Sequence, residues 1–275
     1  MYCDYFTLDE LPFGITPDTS YAFYAQSHQE ALNTLLVALG SGEGFIKITG
    51  EVGTGKTLLC RRLLQSLGEG VRTAYLPNPY LGPETLMRAL AEELHVDIPA
   101  VADEYLMLQA INRELLEAAE GNQQVVVIID EAQAMPIETL EALRLLSNLE
   151  TEKRKLLQII LLGQPELDEK LAQRSVRQLR QRIAFHYQLQ GLSPGETASY
   201  LAHRLRVAGY RGETLFGEAT ARALHRASRG TPRLLNILAH KSMLAAFGEG
   251  KRQIILSHVR RAVADTPGAR SIGWW

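Results

Sequence analysis

Short, nearly continuous apolar runs alternate along this chain with longer segments whose apolar residues recur every three or four positions. The runs at 45–49, 71–76, 125–129, 155–162 and 184–189 are rich in β-branched and aromatic residues and predict strands. Val125-Val126-Val127-Ile128-Ile129 is apolar at every position, so it predicts a strand covered on both faces, as a central parallel strand is. Between the runs, the spacing predicts helices at 27–39, 58–67, 83–94 and 103–119, with charges opposite the apolar stripe, the pattern of elements that cover a sheet. Ser27 is a candidate N-cap for the first, with Glu30 three residues on and Gly40 after its end. Residues 1–26, with Pro12, Phe13, Gly14, Pro17 and several tyrosines, have no clean period and predict an irregular arm. After Leu192-Ser193-Pro194-Gly195 the alternation stops: residues 196–265 predict three or four amphipathic helices and no strand beyond a brief Ile254-Ile255. Three divisions follow, a core with its arm at 1–195, a small helical domain at 196–265 and a disordered tail at 266–275 that ends in Trp274 and Trp275.

Composition narrows this picture only in places. With 275 residues, 46% hydrophobic and 22% charged, the chain has ordinary globular content and enough apolar material for a large core. No uncharged apolar run approaches the roughly 18 residues of a membrane span, and the start lacks a secretory signal layout, so we expect a cytoplasmic protein without an integral membrane segment. Cys3 and Cys60 form neither a metal pair nor a disulfide framework, and the seven histidines follow no ligand spacing, so no zinc site is expected. The net charge of −2 hides an asymmetry: residues 1–195 hold 16 basic against 26 acidic side chains, and residues 196–275 hold 13 against 5. A basic C-terminal part suits nucleic acid or an acidic surface of the same or a neighbouring subunit, and composition leaves both open.

Chemistry enters at Gly50-Glu51-Val52-Gly53-Thr54-Gly55-Lys56-Thr57, which fills every position of G-x-x-x-x-G-K-[ST] between a predicted strand and a predicted helix beginning at Leu58. Glycines let the backbone turn its N–H groups around phosphates, and the helix N-terminus adds its positive dipole end. Lys56 is placed to reach the β- and γ-phosphates of ATP, and the Thr57 hydroxyl to ligate Mg²⁺. The buried run 125–129 delivers Asp130 and Glu131 to the strand end where open α/β sheets bind ligands. Asp130 suits Mg²⁺ through its water shell, and Glu131 suits the base that takes a proton from the attacking water, unless it only begins the next helix. Gln164, past the next strand, can hydrogen-bond a γ-phosphate and a water, or merely cap a helix. Arg174, Arg177, Arg180 and Arg182 follow, any of them a candidate arginine finger or part of a solvated face. Gly230-Thr231-Pro232-Arg233 starts a helix whose Arg233 is placed to reach a phosphate.

With GEVGTGKT, VVVIIDEAQ, LLGQPEL, LRQRI and GTPRLLN in this order, the chain resembles the AAA+ ATPases. Adding the opening YFTLDELPFGITPD, it is similar over nearly its whole length to the family of general secretion pathway protein A (ExeA) and the mannose-sensitive haemagglutinin pilus ATPase MshM. The resemblance implies an α/β fold, a P-loop NTPase three-layer sandwich with a parallel five-stranded sheet followed by a small helical lid. It implies Lys56 and Thr57 as Walker A ligands within a nucleotide-binding stretch 50–58, Asp130 and Glu131 as the Walker B pair, Gln164 at sensor 1 and Arg233 at sensor 2. Arg182, with Arg180 as alternate, falls at the finger that would touch the ATP of a neighbouring subunit in a homo-oligomer. The implied activity is Mg²⁺-dependent ATP hydrolysis serving type IV pilus biogenesis or type II secretion, with machinery at the inner membrane as partner. A DNA-associated ATPase of the MuB or TniB type, also of this fold, is the alternative. The secretion relatives continue into a membrane span and a peptidoglycan-binding domain, whereas this sequence stops at Trp275.

Overall fold

In the computed structural model, which describes residues 2–16, 18–99, 102–150 and 154–273, the five apolar runs form one parallel sheet. The strands are β1 (Phe45–Gly50), β2 (Val71–Leu76), β3 (Gln124–Ile129), β4 (Gln158–Gly163) and β5 (Ile183–Leu189), in the order β2-β3-β4-β1-β5. Trp274 and Trp275 lie outside the described residues. The chain divides into two compact units, one of Glu30–Glu51 and Leu59–Leu189, the other of Met1–Gln29, Val52–Leu58 and Gln190–Trp275.

The first unit holds the sheet, and the two-residue repeat of a strand decides what each face meets. Val125, Val127, Ile129, Ile159 and Leu161 face one core with residues of the helices Pro83–Glu93, Glu104–Glu120 and Ile137–Leu146. Val126, Ile128, Ile160 and Leu162 face the other, against Leu35 and Leu39 of one helix and Leu59 and Leu63 of another. Val126 through Ile129 have no exposed surface at all. At about 1.5–3 kcal/mol for each large apolar side chain buried, this strand firmly anchors whatever its end carries. A buried polar side chain there, the Gln158 amide, donates to Leu39 O (3.2 Å) and Glu43 O (3.1 Å), which offsets its burial. The fourth strand starts three residues later than its pattern predicts. Lys155 instead bridges antiparallel to Glu150 and forms an ion pair with it, while the Leu156 N–H donates to Leu149 O.

The second unit is helical: Pro194–Val207, Glu218–Ser228, Pro232–Gly248 and Leu256–Ala264, with a single parallel bridge between Phe216 and Ile254. The first of these helices opens on a capping box, Ser193 accepting from Glu196 N and Glu196 from Ser193 N. Two expectations change here. The N-terminal arm belongs to this helical unit, where its aromatic residues share a core: Tyr2, Phe6, Phe13 and Tyr21 are each at most 5% exposed among Leu201, Leu205, Leu235 and Leu238. Arg204, 7% exposed, fastens it, donating through Nε to Pro12 O (2.6 Å) and stacking over Tyr21 at 4.2 Å. Residues 266–273, expected as a disordered tail, are held down: Arg270 N donates to Ala227 O (2.9 Å), Thr266 is buried, and Ala269 and Ile272 pack on the same core.

Candidate nucleotide site

Parallel pairing brings the C-terminal ends of the central strands to one edge. Thr49 of β1 stands beside Gly163 of β4, and Ile129 of β3 beside Leu161. Gly50, Asp130 and Gln164 each lie at or just past such an end. Asp130 is 3% exposed; its Oδ1 accepts from Glu131 N (2.9 Å) and its Oδ2 from the Tyr75 hydroxyl (3.4 Å). Its charge is felt nearby. Burial first, and then Asp130, push the Tyr75 hydroxyl and the Cys60 thiol each up to about 12, so both stay protonated at neutral pH.

Glu131 has φ of 53°, a left-handed conformation that non-glycine residues seldom adopt outside turns and functional sites. It precedes the 3-10 turn Ala132–Ala134 but does not cap it. Its Oε2 accepts from the Gln133 amide (2.6 Å) and from the Gln164 amide (2.9 Å), while Gln133 Oε1 accepts from Gln164 N (2.9 Å). Gln164 therefore does not cap the helix Glu166–Leu171 either; its amide reaches back to the neighbouring strand end.

The glycine-rich loop continues from β1 through residues 52–58, which pack with the helical unit. Gly53 (φ 80°) and Gly55 (φ 99°) take conformations that a side chain resists, and each is crowded. A Cβ on Gly53 would lie 2.4 Å from Arg233 Cβ, and one on Gly55 would lie 2.7 Å from His28 Nε2. The loop is also hydrogen-bonded on both sides: Arg233 N donates to Gly53 O (3.3 Å), and His28 Nε2 to Thr54 O (2.8 Å). A carbonyl only accepts, so the proton of His28 sits on Nε2. Thr54 and Lys56 are buried at 2% and 5% exposure, Thr57 and Leu58 are half-buried, and Glu51 and Val52 are exposed. A buried ammonium inside a loop of turned-in backbone is the donor set a polyphosphate needs. The half-buried Thr57 offers a hydroxyl oxygen that suits Mg²⁺. That ion asks of a protein only one or two oxygen ligands beside water and phosphate, and among the described residues no group of three or more His, Cys, Asp or Glu forms a cage for another metal.

Comparison with known proteins agrees with this geometry. Residues 38–171 match the AAA domain family. The whole chain is 40% identical over 275 residues to general secretion pathway protein A of Aeromonas hydrophila, of which it spans 50%. This chain belongs to the AAA+ ATPase family of that protein. The fold of this AAA+ protein also matches solved structures: the Aeropyrum pernix ORC2 protein in its ADPNP-ADP complexes (TM-score 0.63, 17% identity, 94% of this chain and 73% of that one) and Cdc6p from Pyrobaculum aerophilum (TM-score 0.65, 17% identity, 90% and 70%). At such identities the likeness concerns the fold alone.

Of the residues that the sequence singles out, Asp130, Glu131 and Gln164 share one sheet edge, and Arg233 lies against the loop at Gly53. Arg182 is engaged within its own chain: its guanidinium donates to Ser147 Oγ at 2.8 Å, while Arg180 is exposed. Four residues went unmarked. His28 and Tyr75 look like ordinary helix and strand positions, and Lys170, which donates to the carbonyls of Gln133 and Met135, like a solvated charge. Gln133 carried the one usable signal, a polar residue two positions past the strand-end carboxylate.

Proposed function

We propose that this AAA+ protein binds ATP with Mg²⁺ and hydrolyses it, and that the cycle serves as an assembly motor or switch for a secretion or type IV pilus apparatus at the cytoplasmic face of the inner membrane. The observation that carries the hydrolytic part is the pair at the end of β3, a buried Asp130 and a Glu131 with left-handed backbone whose carboxylate accepts from two amides. Bound Mg²⁺ would neutralise charge on the phosphate oxygens. The chain supplies the rest. Loop N–H groups and Lys56 would hold the phosphates, Thr57 and Asp130 would hold the ion through its water shell, and Glu131 would accept the proton of the attacking water. Gln164 orients that water, and Arg233 adds positive charge at the phosphates. A neighbouring subunit contributes Arg182 or Arg180. The assembly role comes from the 40% identity to general secretion pathway protein A, half of whose length this chain spans.

Lys56→Ala should lose nucleotide binding, whereas Glu131→Gln should keep it and lose about 10²–10⁴-fold in turnover. In cells, the Glu131→Gln allele should fail to support pilus or secretion assembly. Normal turnover in Lys56→Ala would overturn the site, and normal assembly with Glu131→Gln would overturn the role. A DNA-bound ATPase is the second reading, favoured by one feature of the helical unit, a cavity of about 560 Å³ lined by Arg222, Arg226, Arg260 and Arg270. Hydrolysis stimulated by duplex DNA and falling steeply with salt would support it.

A further inference from the structure

We propose that Gln133 is a positioning residue for Glu131, holding the carboxylate with one end of its amide and the Gln164 backbone with the other. The inference rests on the hydrolytic reading above and deepens it. A carboxylate only accepts, so the two amides on Glu131 Oε2 must both present their NH₂ groups. That choice leaves Gln133 Oε1 facing the Gln164 N–H, where the 2.9 Å bond closes a triangle of Glu131, Gln133 and Gln164. Each amide orientation is thus dictated by its neighbours.

The surroundings keep the triangle in place. Lys170 Nζ donates to the carbonyls of Gln133 and Met135, which pins the turn that carries Gln133. Gly163 makes room for the amide: a Cβ there would come within 3.2 Å of Gln133 Oε1 and 2.8 Å of Leu167 Cδ2. Gln133 is half-buried, and its amide is engaged at both ends. A glutamate side chain has three rotatable bonds, and a base that wanders by an ångström forfeits alignment with its water. With Gln133 in place, Glu131 and Gln164 move as one body across the ends of β3 and β4. Without it, the carboxylate loses the bond to its nearest amide.

Two measurements test this. In ATP turnover, Gln133→Met keeps length but removes both hydrogen bonds, and should lower kcat on the order of 10²-fold with the nucleotide KM unchanged. Gln133→Glu also keeps the length but cannot donate to the Glu131 carboxylate, so it should lower kcat at least as far. A residue that merely packs would lower Tm while leaving kcat as in the parent, and this result overturns the proposal. The second measurement uses no nucleotide. By NMR, Gln133→Met should shift the Gln164 backbone amide proton and speed its exchange with solvent, and Glu131→Gln should shift the side-chain amide protons of both Gln133 and Gln164. A Gln164 amide proton unmoved by Gln133→Met overturns the triangle. Both shifts in a protein that hydrolyses nothing would keep the triangle and overturn only the hydrolytic reading.

Discussion

Replacing Gly55 with alanine tests how the phosphate loop is held. Two penalties can be worked from the structure, both within the helical unit. The backbone at Gly55 has φ of 99°, where an L side chain costs about 1–3 kcal/mol. The new Cβ would also lie 2.7 Å from His28 Nε2, so the ring must retreat and give up its 2.8 Å bond to Thr54 O. Losing that bond at a buried carbonyl costs about 1–3 kcal/mol more. Alanine narrows the unfolded chain and returns about 0.4–1 kcal/mol, so the net loss is about 1–6 kcal/mol. If the loop moves aside instead of the unit unfolding, each ~1.4 kcal/mol of this appears as a tenfold weaker nucleotide Kd. The assay is a double-mutant cycle, with urea unfolding and nucleotide titration on the parent, Gly55→Ala, His28→Ala and the double variant. His28→Ala has already lost the bond to Thr54, so in that background Gly55→Ala should cost only the backbone term. The coupling energy is then about 1–3 kcal/mol, the value of the lost hydrogen bond. Effects that add to within about 0.5 kcal/mol would refute the reasoning, because the alanine would have found room without displacing His28.

Arg182→Ala and Arg180→Ala should each be mixed with Glu131→Gln: the finger variant that regains measurable turnover on mixing is the one whose arginine acts on a neighbour, and two inactive mixtures from exchanging oligomers refute a shared site. Arg182→Ala should in addition lower stability by about 1 kcal/mol, since it vacates the bond to Ser147, whereas exposed Arg180 should not. Glu249 hydrogen-bonds His258 and is flanked by Lys251 and Arg261, which hold its carboxyl down at about 2. Its folded value lies below the ordinary 4.5, so the stability it contributes is present above pH 4.5 and is lost as pH falls toward 2. Thermal unfolding of Glu249→Gln should show less acid dependence across that window than the parent, and parallel curves would refute the assignment.

The fold was legible because its signals are local. A run such as Val125–Ile129 has no polar position to turn toward water, and a glycine-rich loop between a strand and a helix has few other uses, so the sheet and the phosphate loop follow from neighbours within about ten residues. The same holds for Asp130 and Glu131, whose place is set by the strand that ends beside them. Tertiary structure decided what depends on side chains far apart in sequence. Nothing near Tyr2 or Phe13 says that the arm joins the helical unit; that follows from the aromatic surface it must bury and from Arg204, whose bond to Pro12 spans 192 positions. Ala269 and Ile272 were too few to predict a held segment without the core they pack on. Gln133 stood in plain sight in DEAQ, yet its bond from the Gln164 N–H depends on parallel pairing that sets β4 beside β3 and so brings Gln164 within reach. His28 shows the same limit, since a histidine in a helix declares its partner only when the fold places Thr54 O 2.8 Å from its ring.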